Sequence, residues 1–249
     1  MANGVAREED MKTGVDHPAA TSAIAPKPKP PRRHRLPRVV RWRAAVPATT
    51  AAPARWCLAE LSGRLAELSG VGASAQLTMA FALVSEAQDR NEPTAWITSR
   101  RSTFFPPDAA ESGVDLSALP VIFAPDASAA GRVAGRLARS GAFGLIVLDL
   151  AGMRPTRSAR YATMATEIPV PLLSRLAGLA QKHDVAALCL TDKPAESPSL
   201  GALVSLRCEA RREDDGRGGF LCRVRAIKDK RRGPGWSHAE VRRGPAGLC

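Results

Sequence analysis

Apolar residues along this chain fall in short blocks, separated by stretches whose apolar positions recur at helical spacing. The first block, Leu65 to Leu68, is followed by a small-residue turn from Gly70 to Ala75, a helical stretch from about Gln76 to Asp89 and a second block, Ala95 to Thr98. Strand, glycine turn, helix and strand form the unit with which most nucleotide-binding folds hold phosphate. The turn and the helix N-terminus aim backbone N–H groups at the anion. A Walker A loop also needs a lysine for the phosphates and a hydroxyl for magnesium. Gln76 and Leu77 stand at those places.

The pattern continues in the same sense. A loop with Pro106 and Pro107 is expected over Ser102 to Ala118, a third strand over Val121 to Ala124, and a helix over Ser128 to Arg139 that ends at Gly141 and carries Arg132, Arg136 and Arg139 along one face. FGLIVLDL, Phe143 to Leu150, is an almost unbroken apolar run, as expected of a central strand covered on both faces. Met153 to Thr166 is Arg-rich and aperiodic and reads as a mobile loop. A helix over Leu172 to His183 and a buried strand over Val185 to Thr191, ending at Asp192, follow. Leu203 to Arg211 and Phe220 to Lys228, joined by a turn over Glu213 to Gly219, read as a hairpin, and Trp236 to Arg242 as one further strand. The predicted class is α/β: a mainly parallel sheet flanked by helices, with an antiparallel hairpin at its C-terminal edge.

Residues 1 to 53 break this pattern. Prolines at 26, 28, 30, 31 and 37 forbid a helix, and too few apolar residues are present to offset the entropy of ordering, so the segment is predicted to be a disordered arm before a core domain spanning 54 to 249. Lys27 to Arg43 holds eight Lys/Arg, among them Arg32, Arg33, Arg35, Arg38, Arg41 and Arg43, with Trp42 near the end, a composition suited to phosphate contact and base stacking. The net charge of +12 is unevenly placed: residues 1 to 45 carry ten Lys/Arg against four Asp/Glu, residues 201 to 249 twelve against six, and residues 46 to 200 fourteen of each sign. Basic ends on a neutral centre suit a protein that touches nucleic acid.

Five scattered cysteines without a C-x-x-C pair read as reduced thiols, and the four histidines show no ligand spacing, so neither a metal site nor a cofactor is expected. The opening MANGVAREEDMKTG has no apolar stretch and no run of about 18 apolar residues occurs anywhere, so a cytoplasmic protein without a membrane contact is the expectation.

The order of segments resembles the ATPase core of the RecA recombinase family, and more closely its shortened ImuA branch, which partners error-prone polymerases in damage-induced mutagenesis. GRLAELSGVGASAQLTMAFALVSEAQ resembles the family's Walker A segment, with Gly63, Arg64 and Glu67 in register. AWITSRRSTFFPPDAAESGVDLSALPV resembles the segment after it, RSGAFGLIVLDL the Walker B strand, and VSLRCEARRE with CRVRAIKDKRRGPGWSHAEVRRGPAGL the stretch that ends in a Lys-x-Lys pair and the last core strand. The likeness covers roughly residues 63 to 248 and omits the family's N-terminal polymerisation module and C-terminal domain.

What the resemblance implies is mainly lost chemistry. The lysine position falls on Gln76, the magnesium hydroxyl on Leu77, the preceding loop glycine on Ala75, the catalytic glutamate on Arg100 and the sensor glutamine on Asp192, while the Walker B acid survives as Asp149. A degenerate nucleotide site of Gly70, Gly72, Ser74, Gln76, Leu77 and Asp149, without hydrolysis, is implied. The family's first DNA-binding loop falls on Arg154 to Thr166, with Arg154, Arg157, Arg160 and Tyr161, and its second on Pro194 to Gly201. The subunit-bridging lysines fall on Lys228 and Lys230, extended here by Arg231 and Arg232. The implied partners are RecA, an error-prone DNA polymerase or its accessory subunit, and DNA, single-stranded and weakly held.

Other readings use the same residues. Gly70-x-Gly72-x-x-Ala75 after a strand matches a dinucleotide fingerprint, and Thr98 to Arg101 then offers a seat for the 2′-phosphate of NADP, although the single Tyr161 has no lysine four residues on. An active, divergent ATPase would need another cation in place of the lost lysine, for example Arg64. In a third reading the basic arm binds nucleic acid and the domain is its scaffold.

Overall fold

The computed structural model describes residues 55–102, 104–153, 168–214, 216 and 219–243. These belong to one compact unit, Ala51–Cys249. The predicted arm and the Arg154 to Thr166 loop lie outside the described residues.

Eight strands form one sheet in the order β3-β2-β4-β5-β1-β6-β7-β8. The parallel part consists of β1 (Leu65–Gly70), β2 (Thr94–Thr98), β3 (Val121–Phe123), β4 (Leu145–Asp149) and β5 (Ala186–Asp192), and β6 (Leu206–Asp214) joins it parallel to β1. β7 (Gly219–Asp229) and β8 (Ser237–Arg243) run antiparallel to their neighbours, and the register of β6 on β7 shifts between Arg207 and Cys208. The mixed sheet and its edge hairpin are therefore as the pattern predicted.

Strands β1, β2 and β4 are buried at every position, which is why their sequences read as apolar runs rather than alternating ones. Alternate residues feed two cores. On one face Ala66, Leu68, Trp96, Val147 and Leu188 pack against α1 (Leu58–Leu61) and α2 (Gln76–Asp89), where Phe81 and Phe104 flank the Trp96 ring at 5.1 and 5.2 Å. On the other, Leu65, Ile97, Ile146 and Cys189 pack against α4 (Ala127–Ser140) and α5 (Val170–His183). Asp126 caps α4 by accepting from the Ala129 N–H at 2.7 Å, and Gly141 closes it at φ +67°, a conformation that a Cβ would strain.

One segment departs from the sequence reading. Pro106 and Pro107, taken as loop formers, open a helix, α3 (Pro106–Glu111), and a 3-10 turn covers Leu116–Ala118. Proline lacks only an N–H that the first helical turn leaves unpaired anyway, and its fixed φ suits that position.

The hairpin is tied to the parallel core by a buried ion pair. Arg64 Nη2 donates to Asp229 Oδ1 at 2.6 Å, and Nε and Nη2 also reach the Ser205 hydroxyl and carbonyl at 3.0 and 2.7 Å. Asp229 accepts further from the Arg231 N–H at 2.8 Å and the Trp236 indole at 2.9 Å. Burial acts to raise the Asp229 pKa, but the bonds from Arg231, Trp236 and Arg64 together hold it below the ordinary aspartate value. A carboxyl with a depressed folded pKa contributes stability above its unfolded value, about 4, and loses it as pH falls through the folded value. Asp229→Asn should therefore cost about 3–5 kcal/mol at neutral pH, where it leaves Arg64 buried without its partner. That deficit should shrink as urea titrations are taken below about pH 4.

Candidate functional site: the turn after the first strand

The turn from Gly70 to Ala75 leaves the C-terminal end of β1 and folds back on itself. The Ser74 N–H donates to the Gly72 carbonyl at 2.8 Å, with Gly72 at φ +61°. Ser74 lies so close to Gly70 that a Cβ there would meet its Oγ at 2.3 Å, so only glycine fits. The Ser74 Oγ in turn accepts from the Gln76 N–H at 3.4 Å, using one of the amides that a phosphate would need.

The two positions that define a Walker A site are engaged elsewhere. Gln76 is 7% exposed, and its side-chain amide donates to the Leu68 carbonyl at 2.6 Å and the Thr191 carbonyl at 3.0 Å, stitching the ends of β1 and β5. Leu77 packs against the α2-side core. The side chains at these positions offer neither a cation for phosphate nor a hydroxyl for magnesium.

Asp149, at the end of β4, is 0% exposed. Its Oδ2 accepts from the Thr98 hydroxyl at 2.8 Å and from the Ser102 hydroxyl, while Oδ1 is buried without a hydrogen-bond partner. Burial, the largest effect, pushes the carboxyl above the ordinary aspartate value, and the two hydroxyls counter only part of that. A buried carboxyl that disfavours its charge, already engaged by two hydroxyls, does not fit a magnesium–nucleotide complex. Arg100, where the resemblance put a catalytic glutamate, is exposed, with its guanidinium 5.5 Å from the centroid of the Phe123 ring.

The dinucleotide reading loses its geometry. It needs the second strand beside the first, so that one ligand spans both strand ends. Here β5 and β4 lie between β1 and β2, a separation of about 14 Å at the usual strand spacing.

The remaining candidates divide as follows. Pro194 to Gly201 is fastened to the sheet: Glu67 accepts from the Ser199 hydroxyl at 3.0 Å and the Leu200 N–H at 2.9 Å, Arg207 donates to the Ser197 and Pro194 carbonyls, and Lys193 donates to the Pro198 carbonyl at 2.7 Å. Lys228 and Lys230 converge on the Ala202 carbonyl at 3.5 and 2.6 Å, and burial followed by the neighbouring Lys230 charge holds Lys228 below the ordinary lysine value. Arg231 donates to the Ser62 carbonyl at 3.0 Å and Arg232 pairs with Glu60 at 2.5 Å. Arg32, Arg33, Arg35, Arg38, Arg41, Trp42 and Arg43 of the arm, and Arg154, Arg157 and Arg160, lie outside the described residues. Cys189 and Cys208 are buried thiols whose pKa burial raises. Among the described residues no group of three or more His, Cys, Asp or Glu gathers to hold a metal, and no helix is long and apolar enough to cross a membrane. The sequence reading missed the Thr98 and Ser102 partners of Asp149, for which no local signal exists.

Asp149 has a folded pKa above its unfolded one, so its contribution is full below about pH 4 and declines as pH rises through the folded value. Asp149→Asn should accordingly raise the thermal midpoint at neutral pH by about 2–4 °C, equivalent to about 1 kcal/mol, and give no advantage at pH 4. A lower midpoint at neutral pH would mean that the carboxylate charge is held usefully after all.

A scan of the sequence against family models and a search of curated proteins match nothing.

Proposed function

We propose that this chain is a catalytically silent RecA-like protein of the ImuA kind, an accessory of the DNA-damage (SOS) response in the cytoplasm. It promotes translesion mutagenesis by binding RecA, the error-prone polymerase or its accessory subunit, and DNA. The observation that carries the reading is the Gln76 amide, which ties the β1 and β5 carbonyls together at the place where the resemblance expects a phosphate-binding lysine. A sheet with the segment order of the family, built around a turn without its chemistry, leaves recognition as the use for the fold.

In this mechanism the RecA-shaped faces dock on a RecA protomer or on the polymerase, and the arm and the Lys228 to Arg232 hairpin touch DNA or the partner. Docking on a filament end without offering a working ATP site stops growth there and favours lesion bypass over recombination. Arg232 must leave Glu60 to engage a partner, a small cost, because exposed ion pairs are worth about 0–1 kcal/mol.

Two measurements test this. Tagged protein recovered from DNA-damaged host cells and treated with nuclease should retain RecA or polymerase subunits by mass spectrometry, and purified protein at equimolar ratio should shorten RecA filaments and slow strand exchange. Unchanged filaments and exchange, with no partner surviving nuclease, sink the proposal. The double substitution Gln76→Lys, Leu77→Thr should produce no ATP binding in a titration with a fluorescent nucleotide and magnesium. The buried, hydroxyl-bonded Asp149 and Arg100 at the glutamate position remain in that variant.

A further inference from the structure

A second basic surface lies away from both the turn and the hairpin. α4 and α5 pack side by side on one face of the sheet, and the groove between them has a volume of about 410 Å³. Arg132, Arg136 and Arg139 line it from α4 and Arg175 from α5. Neither helix contains an Asp or Glu: their sequences are ASAAGRVAGRLARS and VPLLSRLAGLAQKH.

The arginines are exposed, and the one side-chain bond any of them makes among the described residues is from Arg132 to the Ser128 hydroxyl at 2.8 Å. Exposed arginines elsewhere behave differently: Arg90, Arg211, Arg223, Arg225, Arg232 and Arg242 all pair with a carboxylate. Arg132 and Arg136, four residues apart, repel one another on the helix. The groove therefore holds like charges that the fold itself leaves uncompensated.

Its floor admits a close approach. Gly135 faces open space, with nothing within 4 Å of where a Cβ would stand, whereas a Cβ on Gly131 would meet Ile168 at 2.8 Å, so α4 can sit this near only as glycine. The apolar lining consists of Leu172, without an aromatic side chain or a carboxamide.

We propose that the α4–α5 groove binds the phosphate backbone of a nucleic-acid duplex, without reading bases. The proposal deepens the DNA-binding part of the proposed function and rests on it. Guanidinium forks match phosphate oxygens two at a time. Arg132 to Arg139 spans about 10 Å at the helical rise, the reach of about three phosphates of one strand. A groove without aromatics has no platform for unstacked bases, which single-strand sites use, whereas a duplex presents its phosphates outward. An acidic protein surface fits less well, because the groove lacks the buried aromatic or aliphatic anchors around which protein interfaces form.

The test is fluorescence anisotropy of a labelled random-sequence duplex with the full chain, repeated over a range of salt. The variant R132Q/R136Q/R139Q/R175Q should bind at least tenfold more weakly at physiological salt, and the slope of log K against log salt should fall by about 3–4, the number of phosphates released. Gly135→Gln keeps every charge, fills the open space and favours helix, so it should weaken duplex binding with an unchanged or higher thermal midpoint. An unchanged slope in the fourfold variant overturns the groove and leaves the DNA contact to the arm or hairpin, with the proposed function standing. A fourfold variant that loses a single strand or poly-glutamate, where the parent never bound duplex, overturns it in favour of those ligands. A parent chain that binds no nucleic acid overturns both this proposal and the DNA part of the proposed function, while RecA capture after nuclease reports on the remainder.

Discussion

Glu67 sits in the middle of β1 with no exposure to solvent, and a carboxylate there is tolerable only if every lone pair finds a donor. The surrounding elements supply them. Oε1 accepts from Lys193 at 2.7 Å and the Thr191 hydroxyl at 3.0 Å, Oε2 from the Ser199 hydroxyl and the Leu200 N–H, and Arg207 of β6 stands at 3.9 Å. One charge thus fixes the end of β5, the segment from Lys193 to Leu200 and the start of β6 on a single strand. Removing any one donor leaves the carboxylate short of a partner, so the segment is ordered by necessity rather than by apolar burial, of which it has little.

The consequence reaches the turn. With β5 held to β1, the carbonyls of Leu68 and Thr191 come close enough for one amide to bridge them, and Gln76 does so. The same strand pairing sets β4 against β5, which places Asp149 in register with Leu190 and in reach of Thr98 from β2. The C-terminal ends of the parallel strands, where open α/β sheets usually receive a ligand, are here joined to one another by side-chain bonds. Arg64 and Asp229 repeat the device at the opposite end of β1, where the hairpin joins the core.

Much of this architecture was legible in the sequence. The bounds of α2 were readable as Gln76 to Asp89 because small turn residues precede it and a polar stretch follows it. The two-sided burial of β4 was readable because FGLIVLDL has no polar interruption before its final acid. What escaped has two causes. α3 was hidden because prolines carry opposite meanings inside a helix and at its first turn, and spacing alone does not separate them. The networks of Glu67, Arg64 and Asp149 were hidden because their members lie far apart in the chain and meet only once the strand order is known. Gln76 shows the difference most clearly: in sequence it is a missing lysine, and in the fold it is a positive bond between two strands. The stripe of Arg132, Arg136 and Arg139 was visible, but Arg175 across the groove was not, since helix adjacency is a property of the tertiary structure.

Where the charge remains uncompensated follows from this arrangement. The hairpin cations have intramolecular acceptors in Ala202, Ser62 and Glu60, and the strand ends have closed on themselves. On the α4–α5 layer, by contrast, two helices without a single carboxylate set four guanidinium groups around a glycine floor. A surface of that kind lowers the stability of the isolated domain through like-charge repulsion. A polyanion laid along the groove relieves that repulsion, as it would not at the turn, where Gln76 and Ser74 already hold their partners. The physical asymmetry of the domain therefore runs from an end that has turned its polar groups inward to a helical face that has left them outward.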